Sequence, residues 1–147
     1  MTTRNSKTIV PYAAEEMFDL VADIERYPEF IPHCAALRVL SVAEEGARAV
    51  MTAEMIVAYH ALRDKFKCRV ETDRAAMTIR ADYLEGPFRK LHNLWRFADA
   101  DEGSEVDFTI EFEFKNFILQ GLASAMFEQV FARMAEAFVR RAHDIYG

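Results

Sequence analysis

The side chains able to do covalent or acid–base chemistry are few and scattered. The four histidines, His33, His60, His92 and His143, show neither an HExxH motif nor any other metal-ligand spacing. Cys34 and Cys68 have no CxxC relationship, and neither stands beside the basic cluster and histidine that would activate a thiolate. Both read as reduced thiols in or near the core, Cys68 on the apolar side of its strand. Gly86 is isolated, and the chain has no P-loop or GxGxxG to cradle a phosphate. No carboxylate pair stands apart from the solvated ones. The residues therefore assign no catalytic group, no metal and no catalytic cofactor, although acids and bases brought together from distant strands would still permit an enzyme.

Binding chemistry is better represented. Asp64 lies between Leu62 and Phe66, and Asn93 between Leu91 and Trp95, so each is a polar residue in an apolar row. Such a residue is either a strand-end group satisfied by backbone or a polar point in an apolar pocket, able to hydrogen-bond a ligand head group. Tyr59 and Tyr83 carry the same two readings, core packing or pocket. The stripe Arg63, Lys65, Lys67, Arg69 is the one concentrated basic feature. It is a solvated sheet face, or a contact for anionic lipid head groups or RNA phosphates.

The elements that must position these residues follow from hydrophobic periodicity. Residues 6–10 predict a short strand stopped by Pro11, and Glu15 to Ala22 a helix with Met17, Leu20 and Val21 on one face. The segment Ile24 to Pro32 holds two prolines four apart, which restricts it to a short helical turn. A period of two then takes over. Strands are expected at His33–Ala43 (apolar on both faces), Ala47–Tyr59, Leu62–Thr72, Met77–Tyr83, Leu91–Phe97 and Glu105–Lys115. Alternation such as Val106, Phe108, Ile110, Phe112 and Phe114 against Glu105, Asp107, Thr109, Glu111 and Glu113 means antiparallel sheet with one wet face. The period changes again over 117–146. There Leu119, Leu122, Met126, Phe127, Val130, Phe131, Met134, Phe138, Ala142 and Ile145 form one broad apolar helical face. A sheet this long must twist and curl, and this helix is the element left to cover its concave side.

Composition bounds the rest. A chain of 147 residues, 52% apolar and 29% charged, is expected to form one domain spanning 1–147. The net charge of −6 argues against general nucleic-acid affinity, DNA included. No apolar run approaches a membrane span, and the N-terminus lacks a signal-peptide core. A cytoplasmic protein is expected, peripheral to the inner membrane at most.

Three stretches together carry a resemblance: YPEFIP at 27–32, EGPFRKLHNLW at 85–95, and the long C-terminal helix ending in RRAHDIYG. The chain resembles the coenzyme Q-binding and ribosome-association toxin proteins of the START-like (polyketide cyclase/dehydrase and lipid transport) superfamily, over about Lys7 to Gly147. The resemblance implies an α+β helix-grip fold. A curved antiparallel sheet of about seven strands surrounds a long C-terminal helix, two short helices follow the first strand, and an apolar cavity separates sheet and helix. It further implies ubiquinone or a related polyisoprenoid lipid as bound ligand, a supporting role in respiratory electron transport, and transient membrane contact. Motif positions Tyr27, Pro28, Phe30, Pro32, Gly86, Pro87, Phe88, Leu91 and Trp95 correspond to the family pattern. The expected ligand-binding set is Tyr27, Phe30, Met55, Tyr59, Phe66, Tyr83, Phe88, Trp95, Phe112, Met126, Val130 and Met134. Two alternatives accompany it: a ribosome-associated toxin-like protein binding the large ribosomal subunit, and a polyketide cyclase-like enzyme.

Overall fold

The computed structural model describes residues 2–59, 62–115 and 117–147, with side chains except those of residues 2, 59, 62 and 117–128. Strand β1 (Thr2–Val10) leads into α1 (Ala14–Ala22) and a 3-10 turn (Ile24–Glu29). Six consecutive strands follow: β2 (Cys34–Glu45), β3 (Arg48–Tyr59), β4 (Leu62–Asp73), β5 (Thr78–Glu85), β6 (Phe88–Ala100) and β7 (Gly103–Phe114). Helix α2 (Phe117–Tyr146) closes the chain. All pairings are antiparallel and the sheet order is β1-β7-β6-β5-β4-β3-β2, so β1 joins the far edge by pairing with β7. This is a helix-grip fold, a curved seven-stranded sheet with a long helix against it.

Helix α1 begins without a side-chain cap at Ala13; the Glu16 carboxylate instead accepts the Ala13 N–H at 3.1 Å. It buries Met17, Phe18, Leu20 and Val21. The 3-10 turn is tied down from both sides. The Tyr27 hydroxyl donates to the Val21 carbonyl, while Arg141 of α2 pairs with Glu29 at 3.1 Å and lies 5.0 Å over the Phe30 ring. The last turn of α2 is held to the N-terminal elements by Tyr12 with His143 and by the Tyr146 hydroxyl donating to the Glu16 carbonyl. Consistent with this, Ala142 and Tyr146 continue the buried stripe four residues apart, and Ile145 is 51% exposed, contrary to its expected place on the apolar face.

Two β-bulges explain where alternation fails. In β2 the register shifts between Val39 and Ser41, so Leu37 and Val39 face Met55 and Ala53 while Val42, of opposite parity, faces Met51. The apolar bias on both faces of this segment is one face read across a phase change. In β6 the shift falls between Phe88 and Lys90, which puts Phe88 on the same face as Leu91, Asn93 and Trp95. This strand therefore starts at Phe88, three residues before the alternation becomes legible.

Candidate functional site

The concave face can be followed in rows across the strands. One row runs Ser6–Phe108–Trp95–Ile79–Thr72, and the next runs Arg4–Ile110–Asn93–Ala81–Val70–Met51. The first is closed. Trp95 stacks on Phe108 with ring centroids 4.1 Å apart, and Phe108 stacks on Phe131 of α2 at 5.7 Å. Phe138 of α2 sits 4.8 Å from Trp95, 5.5 Å from Tyr27 and 5.4 Å from Phe30. Only a void of about 30 Å³ is left here, with Ser6, Thr8, Met17, Trp95 and Met134 among its walls. That is room for about one water molecule. In the second row Ile110, Asn93, Ala81 and Met51 are half-buried although they point inward.

Beyond these rows stands an aromatic cluster centred on Phe88. Its ring stacks on Phe114 at 4.5 Å and meets Phe66, Tyr83 and Phe112 edge-on at 5.3, 5.7 and 6.4 Å. Met55 is the β3 neighbour of Phe66. Phe112 is buried, whereas Met55, Phe66, Tyr83, Phe88 and Phe114 are half-buried.

The GPF sequence builds this cluster. Gly86 has φ +143°, and a Cβ there would lie 2.6 Å from the Phe66 Cβ, so only glycine lets the β5–β6 turn press onto β4. The Pro87 carbonyl accepts the Lys115 N–H at 2.9 Å, fastening the turn to the end of β7. The Phe88 N–H donates to the Tyr83 hydroxyl oxygen at 3.2 Å, which leaves the phenol hydrogen available to a further acceptor. Burial raises the Tyr83 pKa, so the group acts as a neutral donor. Asn93 makes no side-chain hydrogen bond among the described residues. Asp64 is exposed, and its carboxylate accepts the Lys65 N–H at 2.8 Å, a strand-end arrangement.

The expected ligand-binding residues thus fall into two groups. Tyr27, Trp95 and Met134 gather around Phe138 or the small void in closed packing, and Phe30 packs on Phe138 while also bordering the outer cleft. Phe66, Tyr83, Phe88 and Phe112, with Met55 beside them, gather at the other end of the concave face. Val130 is half-buried on α2. The side chains of Tyr59 and Met126 lie outside the described residues. Of the two polar residues set in apolar rows, Asn93 is half-buried on the concave face and Asp64 is exposed at a strand end. Ile110 and Phe114 were legible as inward residues by alternation, but nothing in sequence separated them from ordinary core. A second concavity, an open cleft of about 500 Å³, lies outside the sheet between Pro28–Pro32 and Arg133, Glu136, Ala137 and Arg140 of α2.

No group of three or more His, Cys, Asp or Glu among the described residues could hold a metal ion. Burial pushes the Cys34 thiol up to about 11, and burial with the nearby Asp82 pushes Cys68 up to about 12, so both are protonated at neutral pH. On the convex side His92 Nδ1 stands 2.6 Å from Asp82 Oδ1, remote from the aromatic cluster's concave face.

A curved antiparallel sheet gripping a long helix defines a START-like fold. Residues 10–139 match the family described as polyketide cyclase/dehydrase and lipid transport, and the chain belongs to that family. Within it the chain is similar to the ribosome association toxin RatA of Pseudomonas aeruginosa, 34% identical over 95% of this chain and 94% of that one. It is also similar to the mitochondrial coenzyme Q-binding protein COQ10 homolog B of Xenopus laevis, 31% identical over 95% of this chain and 57% of that one. An 18 kDa protein of Caulobacter crescentus solved in solution superposes with a TM-score of 0.85 at 33% identity, covering 100% of this chain and 99% of the other.

Proposed function

We propose that residues 1–147 act as one lipid-binding domain that takes ubiquinone or a related polyisoprenoid lipid between the sheet and α2. In this reading the protein is a non-enzymatic carrier supporting quinone use in respiration, cytoplasmic and transiently in contact with the inner membrane. The observation that carries it is the contrast along the concave face: closed packing around Phe138, and half-buried inward residues around Asn93 and Phe88. An apolar wall with two underused polar groups, the Tyr83 phenol hydrogen and the Asn93 amide, suits a greasy ligand whose ring bears carbonyl oxygens. Each buried CH₂ contributes about 0.8 kcal/mol, so a few isoprene units supply useful affinity without an ion pair. The ring and the first units would occupy Met55, Phe66, Tyr83, Phe88 and Phe112 on the sheet side and Val130 on the helix side. The remaining tail exceeds what such a domain encloses.

Replacing Val130 by Trp tests this. A folded Val130→Trp variant should lose quinone retained through gel filtration; undiminished retention would remove Val130 from the cavity wall. The named similarity to ribosome association toxins favours a second reading, in which the chain binds the large ribosomal subunit. Co-sedimentation with purified large subunits, in the absence of any quinone loading, would replace the first reading with the second.

A further inference from the structure

The net charge of −6 hides a separation of charge along the strands. Three junctions meet at one end of the sheet: β3 to β4, β5 to β6, and β7 to α2. Arg63, Lys65, Lys67, Arg89, Lys90 and Lys115 cluster there against Asp64, Glu85 and Glu113. Lys67 pairs with Glu85 at 3.6 Å and Arg89 with Glu113 at 3.9 Å. Arg63, Lys65, Lys90 and Lys115 are exposed and make no ion pair among the described residues. At the opposite end the turns carry Glu44, Glu45, Asp73, Asp99, Asp101 and Glu102. A twelve-residue strand such as β4 is about 40 Å long at about 3.3 Å per residue. That is several times the roughly 8 Å screening length at physiological salt, so the acidic end does not cancel the field of the basic one.

The basic end also exposes grease. Leu84, at the irregular end of β5 where Cys68 pairs Tyr83 and Lys67 pairs Glu85, is 52% exposed. It lies beside the Gly86–Pro87 turn that seats Phe88 in the aromatic cluster. Cations at the same sheet end as an exposed leucine, next to the turn that seats Phe88, match a surface that is anionic outside and hydrocarbon within.

We propose that this end of the sheet, with Arg63, Lys65, Lys90, Lys115 and Leu84, is the docking face for a bilayer containing anionic lipids. It rests on the lipid-binding reading by placing the cavity's aromatic end against the membrane. RNA phosphates would use the same cations but have no use for Leu84, which decides for the bilayer.

The test is flotation of the intact protein with phosphatidylcholine vesicles, with and without phosphatidylglycerol. Partitioning should require phosphatidylglycerol and fall with added salt. Lys65→Gln and Lys90→Gln should each lower it about fivefold, and Leu84→Ser should lower it further. Arg96→Gln, an exposed cation near the opposite end, should leave it unchanged. Ubiquinone binding in detergent solution is measured on the same variants. Unchanged quinone binding with lost flotation supports the docking face; lost quinone binding in wild type with intact flotation overturns the proposed ligand and leaves the face standing. Equal flotation on neutral vesicles, or equal loss in Arg96→Gln, overturns the proposal. So does binding of ribosomal RNA that depends on Lys65 and Lys90 but not on Leu84.

Discussion

Replacing Gly86 by Ala puts a methyl group where the β5–β6 turn meets β4. The added Cβ would stand 2.6 Å from Phe66 Cβ, 3.0 Å from its Cα and 3.1 Å from the Lys65 carbonyl oxygen, none of which is the end of a flexible side chain. The backbone at φ +143° also disfavours any side chain, at a cost of about 1–3 kcal/mol. Overpacking adds about 1–3 kcal/mol, so a loss of about 2–6 kcal/mol is expected. The turn relieves the clash by lifting, which weakens the Lys115–Pro87 and Phe88–Tyr83 hydrogen bonds and unseats Phe88. Gly46→Ala is the control. Its φ is +61° but nothing lies within 4 Å of the added Cβ, so about 1 kcal/mol is expected. Urea unfolding followed by the fluorescence of Trp95, the single tryptophan, measures both. A Gly86→Ala loss no larger than that of Gly46→Ala would refute the argument that close approach, rather than turn conformation alone, demands glycine.

Other consequences can be checked by similar means. Tyr27→Phe removes the hydroxyl that donates to the Val21 carbonyl and should lower stability by about 1–2 kcal/mol in urea melts. Ser104 is fully buried and its hydroxyl has no hydrogen-bond partner among the described residues, so Ser104→Ala should leave thermal stability unchanged or raise it by about 1 kcal/mol. Both thiols titrate above their ordinary value of 9.0, toward about 11 for Cys34 and about 12 for Cys68. Because the folded state holds the proton more tightly, their contribution is fully present below pH 9 and is lost as pH rises through 11–12. Urea midpoints should fall over that range, and a disulfide reagent at neutral pH should modify either thiol only slowly until the protein unfolds.

Much of the architecture was legible because its signals are local. The strict alternation of β4 and β7 marked their wet and dry faces, and the period of the last thirty residues marked α2. What escaped was set by pairing. The polar run of β1 gives no alternation, yet it extends back to Thr2 because β7 offers a full-length partner. The bulges at Val39–Ser41 and Phe88–Lys90 reverse parity, so a two-residue period misreads both flanks. Within the candidate site, residue types picked out apolar inward positions but not their separation into closed and open regions. Trp95 and Phe88 are both aromatic residues of one motif; Trp95 is buried between Phe108 and Phe138, whereas Phe88 is half-buried among Phe66, Tyr83 and Phe114. The basic stripe of β4 was visible, but its junction with Lys90 and Lys115 required the strand order.

In the proposed function the half-buried aromatic end of the concave face holds a polyisoprenoid quinone. Gentle purification from a membrane-bearing lysate, organic extraction and mass spectrometry of the bound lipids test it most directly. The expected result is ubiquinone or a close relative in stoichiometric proportion, depleted by Val130→Trp. Protein that carries no quinone and cannot be loaded with one, while it still binds large ribosomal subunits, would contradict it.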